Sequence, residues 1–154
     1  MRVLRLLALA GILILPAALH AQREKLSPDD LDFVQKKWPQ ALKTNTGIRY
    51  IIEKEGVGDP PNPGDIVSVL YTGTFLNGKM FDRDQDPAHP FTFRLGRGLV
   101  IEGWDQVLQL MKPGEKRFVI IPAELAYGTL GRVPGIPRDT VLTFDLELIK
   151  VDRE

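Results

Sequence analysis

The chain has 154 residues, 44% hydrophobic and 26% charged, with 20 Lys and Arg against 20 Asp and Glu and no cysteine. A length near 150 residues suits one domain whose folding buries about 68–70% of the surface the unfolded chain exposes. Without thiols there is no disulfide framework, thiolate zinc site, iron–sulfur ligation or cysteine nucleophile, and balanced charge without basic clusters argues against a phosphate-tracking nucleic-acid surface.

The N-terminal residues read as an address rather than as fold. Arg2 and Arg5 precede an uncharged apolar run of 14 residues from Leu6 to Leu19, broken by Pro16 and followed by the small residues Ala17, Ala18 and Ala21. A helix needs about 20 residues to span a bilayer, so residues 1–21 are expected to be a signal peptide cleaved after Ala21, in preference to an uncleaved N-terminal anchor. No cysteine follows to take a lipid. Cleavage would remove two basic side chains and leave a mildly acidic chain in an exported, periplasmic setting.

Residues 22–45 form a polar N-terminal extension with one short helix. Ser27 suits the N-cap, Pro28 the first helical position, and Asp29 and Asp30 the positive end of the helix dipole. Lys36 and Lys37 close it, and Trp38-Pro39 ends it, because the residue before proline avoids helical angles. Leu31, Phe33 and Val34 give an apolar face suited to packing on the domain that follows.

From residue 46 to 154 the pattern is that of a sheet. Ile48, Tyr50 and Ile52 alternate with Arg49, Ile51 and Glu53. The stretch Gly56–Gly64, with Pro60, Pro61 and Pro63, is loop. Ile66–Phe75 reads as a strand, Asn77-Gly78 as a hairpin turn, and Met80-Phe81 as the return strand. Phe91, Phe93 and Leu95 share a face of a further strand. Trp104, Val107, Leu108 and Met111 fall at i, i+3, i+4 and i+7 of a buried helix stopped by Pro113-Gly114. Arg117–Ile121 is extended again, and Leu142, Phe144, Leu146 and Leu148 alternate along a last strand. Many strands and one amphipathic helix predict an α+β domain with an antiparallel sheet covering that helix.

Covalent and metal chemistry is poorly supplied. Beyond residue 21 the sequence keeps one histidine, His89, and the serines Ser27 and Ser68, neither on a nucleophile elbow. Asp82, Asp84 and Asp86 have the spacing that opens a calcium loop, but Pro87 holds the place of the turn glycine and Phe93 that of the bidentate glutamate. Gly96-Arg97-Gly98 lacks the third glycine of a dinucleotide loop, Ile101 standing there. No metal and no cofactor are expected. What remains is a set of aromatics at strand ends and loops, each of which could equally be core filler.

The order and spacing of those residues resemble the FKBP family of peptidyl-prolyl cis/trans isomerases, over about residues 46–151. The resemblance runs through Tyr71-Thr72-Gly73, Asn77–Asp82, Pro90–Gly96, Val100–Asp105, Ile121–Gly128, Ile136-Pro137 and Leu142–Leu148. It implies a five- to six-stranded antiparallel half-barrel around one short helix, with a shallow apolar pocket for an Xaa-Pro bond. It further implies Tyr71, Phe81, Asp82, Tyr127 and Phe144 as catalytic residues and Phe91, Val100, Ile101, Trp104 and Ile136 as the substrate-binding surface, Trp104 being the floor. The Ile101 amide and Tyr127 hydroxyl would bond ligand carbonyls, and the Asp82 carboxylate would face the twisting amide. Partners would be unfolded or partly folded proline-containing proteins and macrolide-type inhibitors, with no nucleic acid, no stable membrane insertion and a monomeric state. A catalytically weak peptide-binding or chaperone module using the same groove is the alternative.

Three positions depart from the family pattern. Pro87 stands where many members have an arginine that pairs with the Asp82 carboxylate, leaving Arg83, another donor or water to meet it. Leu99 replaces the glutamate of some members, and Arg132 and Pro134 occupy the variable loop Thr129–Gly135.

The chemistry suits a site with neither nucleophile nor metal. Amide rotation faces a barrier of about 18–20 kcal/mol from resonance alone, and no bond breaks. Three to five decades of acceleration require about 4–7 kcal/mol.

Overall fold

The computed structural model describes residues 23–153, so the expected signal peptide lies outside the described residues. The elements in chain order are α1 (Pro28–Lys37), β1 (Leu42–Lys43), β2 (Arg49–Lys54), β3 (Ile66–Phe75), β4 (Met80–Asp84), β5 (Phe91–Arg94), α2 (Glu102–Leu108), β6 (Lys116–Ile121), a 3-10 turn (Ala123–Leu125) and β7 (Leu142–Asp152). All strand pairings are antiparallel, in the order β1-β2-β6-β7-β3-β4, and β5 also pairs with β3. This is the expected α+β architecture.

The position of β5 explains the strand count. One whole edge of β3, Ile66 to Phe75, pairs with β7. On its other edge Val69 meets Phe91 of β5 and Tyr71 meets Asp84 of β4, so β4 and β5 behave as one edge strand interrupted by residues 85–90. That excursion is a local turn: Asp86 accepts from the Ala88 N–H at 2.9 Å and from His89 Nδ1 at 2.9 Å. The Asp82/84/86 spacing therefore belongs to a strand end and a turn.

The two faces of the sheet bury different things. On the inner face, Val67, Val69, Val119, Ile121, Leu142, Leu146 and Leu148 pack against Trp104, Val107 and Leu108 of α2. Each such aliphatic side chain contributes about 1.5–3 kcal/mol by leaving water. Close approach of α2 depends on Gly103, where a Cβ would stand 2.5 Å from Ile121 Cγ2. On the outer face, Leu26 and Val34 of the N-terminal segment pack on Ile120 and Val141, flanked by Leu31, Trp38, Leu76 and Phe118. Helix α1 starts as its sequence dictates: the Ser27 side chain accepts from the Asp30 N–H, and Pro28 occupies the first turn.

Two local expectations are corrected, and a charged side chain is found buried. Helix α2 ends at Leu108, before Pro113-Gly114; Met111 stays fully buried through the turn bonds Leu110 N–H to Val107 O and Met111 N–H to Leu108 O. Arg49, which alternates with Ile48 and Tyr50 at the start of β2, is 6% exposed because Glu24 pairs with it at 2.8 Å. Phe33, expected on the packed face of α1, is 40% exposed and makes an edge contact with Trp38 instead.

Candidate active site

The inner core is left open at one end, and the opening is lined by rings. Tyr71, Phe81, Asp82, Phe91, Leu99, Val100, Ile101, Trp104, Tyr127, Arg132 and Phe144 surround a cavity of about 330 Å³. Strand β3 supplies Tyr71, β4 supplies Phe81 and Asp82, β5 supplies Phe91, and β7 supplies Phe144. The approach to α2 brings Val100 and Ile101, and its first turn brings Trp104.

Trp104 organises the rings. It is 4% exposed and meets Tyr71 at 4.8 Å and Phe144 at 5.3 Å between centroids, both at 78°, while Phe81 meets Phe144 at 5.6 Å and 88°. Edge-to-face pairs of this kind contribute about 0.5–1.5 kcal/mol each beyond burial, so the walls hold one another in place. Among the described residues the buried indole Nε1 has no hydrogen-bond partner. Gly73 makes the arrangement possible: a Cβ there would lie 2.6 Å from Phe81 Cζ and 2.9 Å from Phe144 Cε1.

The Asp82 carboxylate, left without an arginine partner by Pro87, accepts a hydrogen bond from the Tyr71 hydroxyl at 3.1 Å. Arg83 does not meet it; alternation along β4 sends Arg83 to the opposite face, and it is exposed. Burial, reinforced by the Asp82 and Asp84 charges and the hydrogen bond itself, pushes the Tyr71 pKa up to about 12. Tyr71 is therefore a fixed, protonated donor at neutral pH.

Two donors in the cavity are unspent. Among the described residues the Ile101 N–H and the Tyr127 hydroxyl donate to no protein acceptor, although the Ile101 carbonyl accepts from Trp104 and Asp105 N–H groups at 2.9 and 3.3 Å. The neighbouring Gly96-Arg97-Gly98 turn is occupied internally: Asp105 accepts from the Gly96 N–H at 2.8 Å and the Gly98 N–H at 3.0 Å. A side-chain carboxylate thus fills the place that a phosphate takes in a glycine loop, and it braces the start of α2.

Of the ten residues expected at the site, nine line this cavity. Ile136 does not; it is 6% exposed, packed in the core, and borders an adjoining cleft with Phe81, Asp82 and Arg132. Leu99 and Arg132 line the cavity although neither was expected there. Leu99 is 65% exposed, and nothing in periodicity marks it. Arg132 follows Gly131 in a loop whose backbone is closed by a local two-bond bridge between Arg132 and Ile136.

Comparison with known proteins agrees with this geometry. Residues 58–149 match the family described as FKBP-type peptidyl-prolyl cis-trans isomerase. The chain is 44% identical over 113 residues to the FKBP-type peptidyl-prolyl cis-trans isomerase FkpA of Escherichia coli K12, covering 73% of this chain and 41% of that protein. It is 47% identical over 90 residues to human peptidyl-prolyl cis-trans isomerase FKBP2, covering 58% and 63% respectively. A crystal structure of a peptidyl-prolyl cis-trans isomerase from Pseudomonas syringae superposes with a TM-score of 0.71 at 34% identity, covering 81% of this chain and 92% of that one. The chain thus spans about two fifths of the length of the FkpA relative and under two thirds of FKBP2. With a family match over more than half its length and an aromatic cavity assembled by the matched residues, the chain belongs to the FKBP-type peptidyl-prolyl cis-trans isomerase family.

Proposed function

We propose that the cavity accelerates cis/trans rotation of Xaa-Pro bonds in proteins that are folding after export. The observation that carries the reading is an aromatic cavity whose two unspent donors, the Ile101 N–H and Tyr127 hydroxyl, stand ready for substrate carbonyls. The proline ring rests on Trp104 between Tyr71, Phe91 and Phe144. Carbonyls held by Ile101 and Tyr127 fix the chain on either side, so that rotation occurs about one bond only.

Rotation removes the resonance that makes the amide planar and polar. A twisted amide is thereby less dependent on water than either planar isomer, and walls of Tyr71, Phe81 and Phe144 favour it by exclusion of solvent and by fit. Asp82, held by Tyr71, faces the amide as a fixed negative charge whose orientation needs no rearrangement during rotation. No group gains or loses a covalent bond, and no step requires a metal or cofactor.

Export rests on the layout of residues 1–21, a basic start and a short apolar run ending in small residues. The partners follow as unfolded or partly folded proline-containing proteins. The test is the isomerisation rate of a proline peptide with and without the protein. Acceleration that falls in Tyr127→Phe supports the reading; peptide binding without acceleration would replace it with the chaperone alternative.

A further inference from the structure

Asp82 and Arg132 are the two charged side chains of the cavity lining. Their situations differ: Asp82 is engaged by the Tyr71 hydroxyl at 3.1 Å, whereas Arg132 makes no ion pair and no side-chain hydrogen bond among the described residues. Arg132 is exposed at the mouth of the cavity, whereas the buried arginines are spent, Arg49 on Glu24 and Arg117 on Glu115.

Arg132 is nevertheless held in position. Its N–H donates to the Ile136 carbonyl at 2.8 Å and its carbonyl accepts from the Ile136 N–H at 2.9 Å, and Ile136 is anchored in the core. Gly131 before it has φ of +68°, and a Cβ there would stand 2.5 Å from the Ile136 carbonyl oxygen, so the bend is fixed by close backbone contact. The guanidinium lies 5.8 Å from the centroid of the Tyr127 ring, beside one of the two unspent donors. It borders both the main cavity and the adjoining cleft with Phe81, Asp82 and Ile136.

We infer that Arg132 is a specificity-determining residue that recognises an acidic side chain flanking the proline of the substrate. The inference rests on the isomerase reading of the same cavity and names its preferred substrate class. A guanidinium presents a planar fork of donors to a carboxylate, and one without an internal partner gives up no existing ion pair to receive it. The charges opposing an acidic ligand are Asp82 in the lining and Asp84 at the end of the same strand. The Arg132 charge reaches the same place, since it partly offsets their effect on the Tyr71 hydroxyl. Removal of Arg132 would leave acids alone at the site, so preference should invert rather than merely fade.

The experiment compares peptides differing only in Glu, Gln or Lys immediately before or immediately after the proline, measuring both kcat/KM for isomerisation and Kd. For the wild-type protein, Glu is expected to exceed Gln by about three- to fivefold at one of the two positions, with Lys lowest, and the ratio to shrink in 0.5 M salt. In Arg132→Gln the Glu-to-Gln ratio should fall below one, and Arg132→Lys should restore part of it. The readout is the ratio, so a general loss of turnover in the variant does not enter. Acceleration with equal Glu and Gln values in wild type and Arg132→Gln would overturn the role of Arg132 and leave the isomerase reading intact. Absence of acceleration with the affinity ratio preserved would overturn isomerisation and support recognition by Arg132. Absence of both would overturn the two together.

Discussion

The two faces of the sheet solve opposite problems. On the outer face strong groups are paired within the fold: Glu24 meets Arg49 and Lys43, each at 2.8 Å, Thr74 meets Thr143 at 2.6 Å, and Leu26 and Val34 are buried on Ile120 and Val141. On the inner face the same close packing holds around Val107, Leu108 and Leu146, but it stops at one end, where rings stay half-exposed and two donors go unused. Stability and binding are thereby separated in space. A stabilising contact is one already made; a binding site consists of contacts withheld from the fold.

Substitutions can break this division, and the largest effect should be at Trp104, which belongs to both sides of it. Trp104→Ala is expected to cost about 3–5 kcal/mol in denaturant unfolding and to abolish cavity function, because it removes a buried ring and the floor together. Val34→Ala on the outer face should cost about 2 kcal/mol in the same unfolding experiment while leaving kcat/KM within twofold. A large kinetic loss there would show that the outer face reaches the site. Asp82→Ala should do the reverse, lowering kcat/KM about tenfold, equivalent to about 1.4 kcal/mol, with unfolding stability changed by less than about 1 kcal/mol.

The smallest effect distinguishes the outer face by pH. Burial raises the Glu24 pKa, but hydrogen bonds from Arg49, Lys43 and the Leu26 N–H, together with the Arg49 charge, outweigh it and hold the value at about 2. The folded value lies below the ordinary 4.5, so the stabilisation is complete above pH 4.5 and is lost as pH falls through 2. Unfolding free energies of wild type and Glu24→Gln should differ by about 1 kcal/mol at pH 7 and converge near pH 2, the modest size reflecting a partly solvated pair. A difference independent of pH would contradict that origin.

Local chemistry made much of this legible from sequence. Ser27-Pro28 fixes the start of α1, Asn77-Gly78 fixes the hairpin, and the alternation along Leu142–Leu148 fixes the inner face of β7. Arg49 was not legible, because its burial depends on Glu24, which lies 25 positions away and reaches it only after folding. The end of α2 was obscured for a related reason: Met111 keeps the helical apolar period although the chain has already left the helix. At the site, the aromatics could be placed by resemblance, but the partner of Asp82 could not. With Pro87 on a turn that leaves the sheet and Arg83 on the wrong face, only the strand pairing shows that Tyr71 fills the gap. Arg132 was hidden similarly, its position set by paired bonds to Ile136 across a loop.

The most direct measurement is cis-to-trans relaxation of a Leu-Pro peptide at increasing protein concentration, run side by side for wild type, Val34→Ala and Asp82→Ala. Acceleration proportional to protein, retained in Val34→Ala and reduced about tenfold in Asp82→Ala, is the predicted result. Relaxation at the uncatalysed rate, or equal loss in both variants, would contradict a catalytic cavity separated from the outer face.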